Sequence, residues 1–137
     1  MSTVFADTGY WVALVNSADG LHGKACVLAD TLWRTQVVTT DLVLVEVLNY
    51  FAEQGERWRR LAATLVNEIN ANPKITVIAF TPSLFAQAFE RYQNRLDKGW
   101  GLGDCASFVV MEQRSITEAL AHDVHFVQAG FRALLRE

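Results

Sequence analysis

Residues 4–14 read VFADTGYWVAL. Val4, Phe5 and Ala6 are apolar, Thr3 before them is β-branched, and the run stops at Asp7. A short apolar run of this kind predicts a buried strand over residues 3–6. The stretch that follows, residues 10–16, predicts a short helix. The unit is therefore a buried strand, an acid at its end, and then a helix.

The same unit recurs outward along the chain. Residues 22–34 predict a helix, with Ala25, Leu28, Ala29 and Leu32 at helical spacing. Residues 37–40 are β-branched and predict a second strand. Asp41 suits the N-cap of a helix running to about Gln54, with Gly55 as its stop. A helix over 58–71, a strand over 75–80 and a helix over 83–96 follow, the last with Phe85, Ala88, Phe89 and Tyr92 on one face. Residues 99–103 read as a loop, 104–113 as a helix, 118–121 as a weak strand and 128–135 as a closing helix. Such alternation, with few hairpin turns, predicts parallel strands joined by helical crossovers. The expected fold is a three-layer α/β/α sandwich around a mainly parallel sheet, as one domain over residues 1–137.

The bulk properties agree with a folded α/β domain. Hydrophobic residues are 51% and charged residues 20% of the chain, and the mean hydropathy is +0.14. That suits a sheet covered on both faces. No run reaches the roughly 18 apolar residues of a membrane span. The amino-terminal stretch has no basic lead-in, and Asp7 interrupts its apolar run, so it reads as neither a signal nor a transit peptide. Cys26 and Cys105 form no CxxC pair, which argues against a disulfide framework. A cytoplasmic protein is expected. The net charge of −3 is not that of a chain gripping nucleic acid by bulk charge. If four carboxylates are neutralised by cations, 12 basic groups face 11 acidic ones and the remainder carries +1.

Four acids stand where ligands bind in open α/β sheets, beyond the carboxyl ends of the strands. Asp7 ends the first predicted strand, Asp123 lies just past the last, and Asp104 opens a helix after a glycine loop. Each of these three also suits a helix N-cap. Glu46 sits inside the apolar run LVLVEVL, residues 42–48. Helical spacing with Asn49, Tyr50 and Glu53 allows a solvated polar stripe, whereas those flanks predict a largely buried helix, in which an ionised carboxylate is costly without a cation. Between Lys24 and Arg57 the only basic residue is Arg34, so a metal ion is the natural counter-charge. Converging carboxylates raise one another's pKa values, and a hard divalent cation with oxygen ligands, Mg²⁺ or Mn²⁺, relieves that repulsion. The chemistry expected of Asp7, Glu46, Asp104 and Asp123, as metal ligands and catalytic residues, is metal-assisted phosphodiester hydrolysis.

These residues resemble the PIN-domain family, and especially the VapC-like toxin ribonucleases of bacterial toxin–antitoxin pairs. The resemblance covers nearly the whole chain. VFADTGYWVAL is similar to the family's opening strand, with Asp7 as first acid and Thr8 as the accompanying hydroxyl. Asp19, His22 and Ala25 match its D-x-x-H-x-x-A helix, and TTDLVLVEVLN is similar to the second motif, with Glu46. GLGDCASFVVM carries Asp104, and AHDVHFVQAGF carries Asp123 and Phe126. The resemblance implies an Mg²⁺- or Mn²⁺-dependent endoribonuclease that leaves a 5′-phosphate, a homodimer, and a small antitoxin that blocks the site. The chain departs from the family at Ala121 and Gly103, where hydroxyl side chains are frequent. Asp97 is an outer-shell candidate beside the third motif.

Other readings were weighed. A receiver domain wants paired acids at the first strand and a lysine near the last, but no lysine follows Lys98. A haloacid-dehalogenase phosphatase wants an aspartate where Gly9 stands. His122 and His125 are too close for one helical face at four-residue spacing, which argues against structural zinc. Arg57, Arg59 and Arg60 around Trp58 read as a solvated helix face, with phosphate steering as the sharper alternative. A non-catalytic RNA-binding module, or an RNA-processing nuclease, is the alternative function. Trp11, Trp33, Trp58 and Trp100 exceed what one small core is expected to hide, and point to a homodimer with a groove for an antitoxin segment.

Overall fold

Thr3–Ala6 forms the central strand, β1, in a computed structural model that describes residues 2–137. Val4, Phe5 and Ala6 are all buried, as expected of a strand covered on both faces. β1 pairs in parallel with β2 (Gln36–Thr40) on one side and with β4 (Glu118–Leu120) on the other. Phe5 lies opposite Val38 and Ala119. β3 (Ile75–Ile78) extends the sheet beyond β2, and β5 (Arg132–Ala133) extends it beyond β4. The order is β3-β2-β1-β4-β5, all parallel. The chain winds outward from β1 to β3, then crosses back to the other side of β1. The topological switch point therefore falls between β1 and β4.

The helices cover both faces of the sheet. α1 (Thr8–Val15), α2 (His22–Asp30), α3 (Asp41–Phe51) and α4 (Glu56–Ala71) form one group, in which α1 packs against both α2 and α3, and α3 against α4. α5 (Pro82–Asn94), α6 (Leu102–Gln113) and α7 (Val124–Gln128) form the other group. Right-handed crossovers place helices before and after the reversal on opposite faces, which yields the three layers. Phe5, Phe108 and Phe126 are fully buried. Phe126 meets Phe108 edge-on at 5.1 Å and lies 6.4 Å from Phe5, so α6 and α7 are joined to β1 through aromatic rings. The Asp19, His22 and Ala25 motif braces α1 against α2: His22 Nδ1 bonds Ala13 O at 2.7 Å, Asp19 Oδ1 accepts from the Leu21 N–H, and Ala25 is fully buried.

Several expectations are corrected. The closing helix over 128–135 does not form. Gly130, at φ 96°, ends α7, and residues 132–133 gain strand hydrogen bonds beside Glu118 and Ala119 instead. The helix predicted over 22–34 stops at Asp30 and continues as a 3₁₀ turn, Leu32–Arg34. Thr40 rather than Asp41 caps α3, accepting from the Val43 N–H, and the helix ends at Phe51. The predicted apolar face of α5 is mostly solvent-facing: Leu84 and Ala88 are buried, whereas Phe85, Phe89 and Tyr92 are exposed. Trp11 and Trp100 lie in the core, and Trp58 packs inward, its ring stacked 5.3 Å from Phe51, so the tryptophans leave only Trp33 as surplus apolar surface. No helix of the described residues is long and apolar enough to cross a membrane.

Candidate active site

Asp7 follows β1 directly, and its backbone N–H donates to Leu120 O at the end of β4, so it stands on the switch point. It precedes α1 in extended conformation, yet its side chain makes no capping hydrogen bond of the N-cap kind. The carboxyl is pushed from 3.8 up to about 7. Burial is the largest cause, the Thr8 backbone N–H opposes it, and the charges of Asp104, Glu46 and Asp123 add to it. Those interactions place all four acids in one neighbourhood. No lysine or arginine of the described residues is among the groups acting on Asp7.

Glu46 is carried in by α3, the helix after β2. The sequence reading of a largely buried helix is corrected here: Val43, Leu44, Val47 and Phe51 are buried, but Glu46 and Val45 are exposed residues. Its carboxylate folds back onto Thr8, whose hydroxyl donates to Oε2 at 2.8 Å. Burial and Asp104 raise its pKa, and the Thr8 bond works against them. A Cβ at Gly103 would overlap Glu46 Oε1, so the missing side chain there makes room for this carboxylate.

Asp104 lies on the first turn of α6 rather than opening it, and Oδ2 accepts from the Gly101 N–H at 3.1 Å. Asp123 is the N-cap of α7, as the simpler sequence reading allows, and Oδ1 accepts from the His125 N–H at 2.9 Å. Between them stands His125, whose Nδ1 is 2.9 Å from Asp104 Oδ2 and 3.3 Å from Asp123 Oδ1. Asp104, Asp123 and His125 can each offer one ligand atom within 4.8 Å of the others. Weighing His125 only as half of an H-x-x-H pair passed over this placement. The available signal was its position two residues past an N-capping aspartate.

The other candidates lie elsewhere. Asp97 pairs with Arg95 and Lys98, and none of the four acids figures in its electrostatics. Arg59 donates to Ala52 O, Arg60 pairs with Glu56, and Arg57 lies over Trp58, as a solvated helix face predicts. A cleft of about 490 Å³, lined by Arg91, Arg95, Trp100 and Gln128 among others, contains none of the four acids. Asp7 and Asp123 instead follow the carboxyl ends of β1 and β4.

The donor set fits a hard divalent cation. Asp104 and Asp123 offer carboxylate oxygens on either side of the His125 imidazole, and the Asp7 carboxyl, raised to about 7, feels the charges of Asp104, Glu46 and Asp123. A parallel α/β/α sheet with such a group at its switch point agrees with the PIN-like resemblance of the sequence. No family model matches the chain. It is 31% identical over 131 residues to the 23S rRNA-specific endonuclease VapC20 of Mycobacterium tuberculosis, covering 93% of this chain and 95% of that protein, in each of two strains. The crystal structure of M. tuberculosis VapC20, described as a sarcin-ricin loop cleaving toxin, superposes with a TM-score of 0.80 at 30% identity, covering 93% and 95% of the two chains. The chain belongs to the VapC-like family of PIN-domain toxins.

Proposed function

We propose that this chain is a cytoplasmic, Mg²⁺- or Mn²⁺-dependent endoribonuclease and the toxin of a toxin–antitoxin pair. The observation that carries this reading is the neighbourhood of Asp7, Glu46, Asp104 and Asp123, with the Asp7 carboxyl raised to about 7 and no lysine or arginine of the described residues acting on it. These four residues would hold the cation. When bound, it supplies positive charge that polarises a phosphodiester and makes water a better nucleophile. Thr8 orients Glu46, the Gly101 N–H and His125 orient Asp104, and Asp7 is a candidate acceptor for a proton from attacking water. The relative's substrate, 23S rRNA, is the RNA to assay first. Cleavage is expected to vanish in excess EDTA and to return with added Mg²⁺ or Mn²⁺. Undiminished cleavage in EDTA would refute the metal requirement.

The family also suggests an antitoxin that covers the acid edge, and a homodimer. Support for the dimer comes from α5 rather than from the tryptophans. Phe85, Phe89 and Tyr92 of α5, with Leu96 just beyond its end, have exposures from 43% at Phe89 to 90% at Leu96, an apolar surface in need of a partner. Sedimentation at micromolar concentration is expected to give a two-chain species that Phe89→Asp converts to monomer. A monomer across that range without the substitution would end the dimer proposal and leave the nuclease reading intact.

A further inference from the structure

We propose that His125 is a positioning residue: its Nδ1–H bonds Asp104 while its backbone N–H bonds Asp123, and together they fix which oxygens these two acids present to a cation. The inference rests on the metal-dependent nuclease reading. Asp104 comes from the start of α6 and Asp123 caps α7, so no single element sets their separation. His125 lies between them, with Nδ1 at 2.9 Å from Asp104 Oδ2 and 3.3 Å from Asp123 Oδ1. A nitrogen facing two carboxylates carries the proton, because a lone pair there would meet two acceptors. The same two oxygens take the Gly101 N–H and the His125 N–H respectively. Asp104 Oδ1 and Asp123 Oδ2 receive no protein donor among the described residues, and these are the oxygens left for a cation.

The ring is itself held. Its backbone lies in α7, which Phe126 anchors in the core, and Nε2 stands in van der Waals range of the place a Cβ would occupy at Gly99. A histidine that donates one ring N–H to a carboxylate near a metal orients that carboxylate, and loss of such partners commonly costs about 10–100-fold in metal affinity. A merely structural histidine would not show that dependence.

The test is calorimetric titration of Mn²⁺ into the unsubstituted protein and into His125→Phe and His125→Asn. Phenylalanine keeps a ring but has no donor, whereas the asparagine Nδ2–H can stand where Nδ1–H stood. Mn²⁺ affinity is expected to fall about 10–100-fold in H125F and to recover largely in H125N. His125→Gln, whose amide reaches past the Nδ1 place, serves as the weaker comparison if H125F does not fold. Electron spin resonance of bound Mn²⁺ is expected to show no directly coordinated imidazole nitrogen. Equal affinity in all variants, no advantage of Asn over Phe or Gln, or a directly bound nitrogen would each overturn the positioning role. Absence of Mn²⁺ binding by the unsubstituted protein would overturn the metal-dependent reading, and this inference with it.

Discussion

Asp7→Asn is expected to reduce RNA cleavage by at least about 100-fold, beyond the 10–100-fold typical when an outer-shell partner of a metal site is lost. The amide keeps the shape of the side chain and removes the charge that would hold the cation. The same substitution is expected to stabilise the metal-free protein near pH 8. The folded-state pKa of Asp7 is about 7, above its ordinary 3.8. Between those values the folded chain holds a proton that the unfolded chain has released, so stability declines as pH rises from about 4 to about 7. Above that window the full penalty is present, on the order of a few kcal/mol. Asparagine carries no such penalty. In excess EDTA at pH 8, D7N is therefore expected to melt several degrees higher than the parent, with a flatter dependence on pH. Equal melting temperatures across pH 4–8 would show that the carboxyl is not under this strain, and full activity of D7N would remove Asp7 from the site.

Phe126→Ala is expected to have the largest effect on stability. The side chain is fully buried and touches rings from β1 and α6. Removing a phenylalanine from such a place costs roughly 3–5 kcal/mol, because the transfer free energy is lost and a cavity is left. A domain of this size has only about 5–15 kcal/mol in total. Urea unfolding is expected to show a midpoint lowered by that free energy divided by the slope, with the slope itself unchanged. A loss below about 1 kcal/mol would mean that α7 is not anchored through this ring. Since α7 carries His125 and is capped by Asp123, a loosened helix should also weaken Mn²⁺ binding. Phe126→Leu, which fills more of the space, should lie between the two.

Much of the architecture was legible from residue types. VFAD in residues 4–7 marked a buried strand with an acid at its carboxyl end, because a both-faces-buried strand needs an unbroken apolar run and the first charge must fall where the sheet ends. The alternation of strands and helices required parallel pairing, since parallel neighbours need long crossovers. Asp7, Asp104 and Asp123 were legible for the same reason, since each lies at or near a change of element; Glu46, in the middle of α3, stood out instead as the one acid inside an apolar run. Whether those acids act on RNA is a question for the cleavage assays, but their convergence follows from the strand order.

What lay beyond the sequence was whatever depends on contacts between distant residues. Residues 132–133 became a strand because Glu118 and Ala119 offered a free edge, a pairing partner that local periodicity cannot reveal. Phe85, Phe89 and Tyr92 have helical spacing, but spacing states only that they share a face; packing of α5 on α6 through Leu84 and Ala88 decided that this face points outward. Gly103 read as a missing hydroxyl until α3 was seen to place the Glu46 carboxylate in the space its side chain would fill. His125 is two residues from Asp123 in sequence and 21 from Asp104, and its position between them required α6 and α7 to be docked. Sequence alone determined the parallel sheet and the acids at its carboxyl edge, since both follow from local burial and charge. Tertiary structure decided which neighbours those acids meet, because hydrogen bonds and excluded volume act at contact distance and only the packed chain brings such groups together.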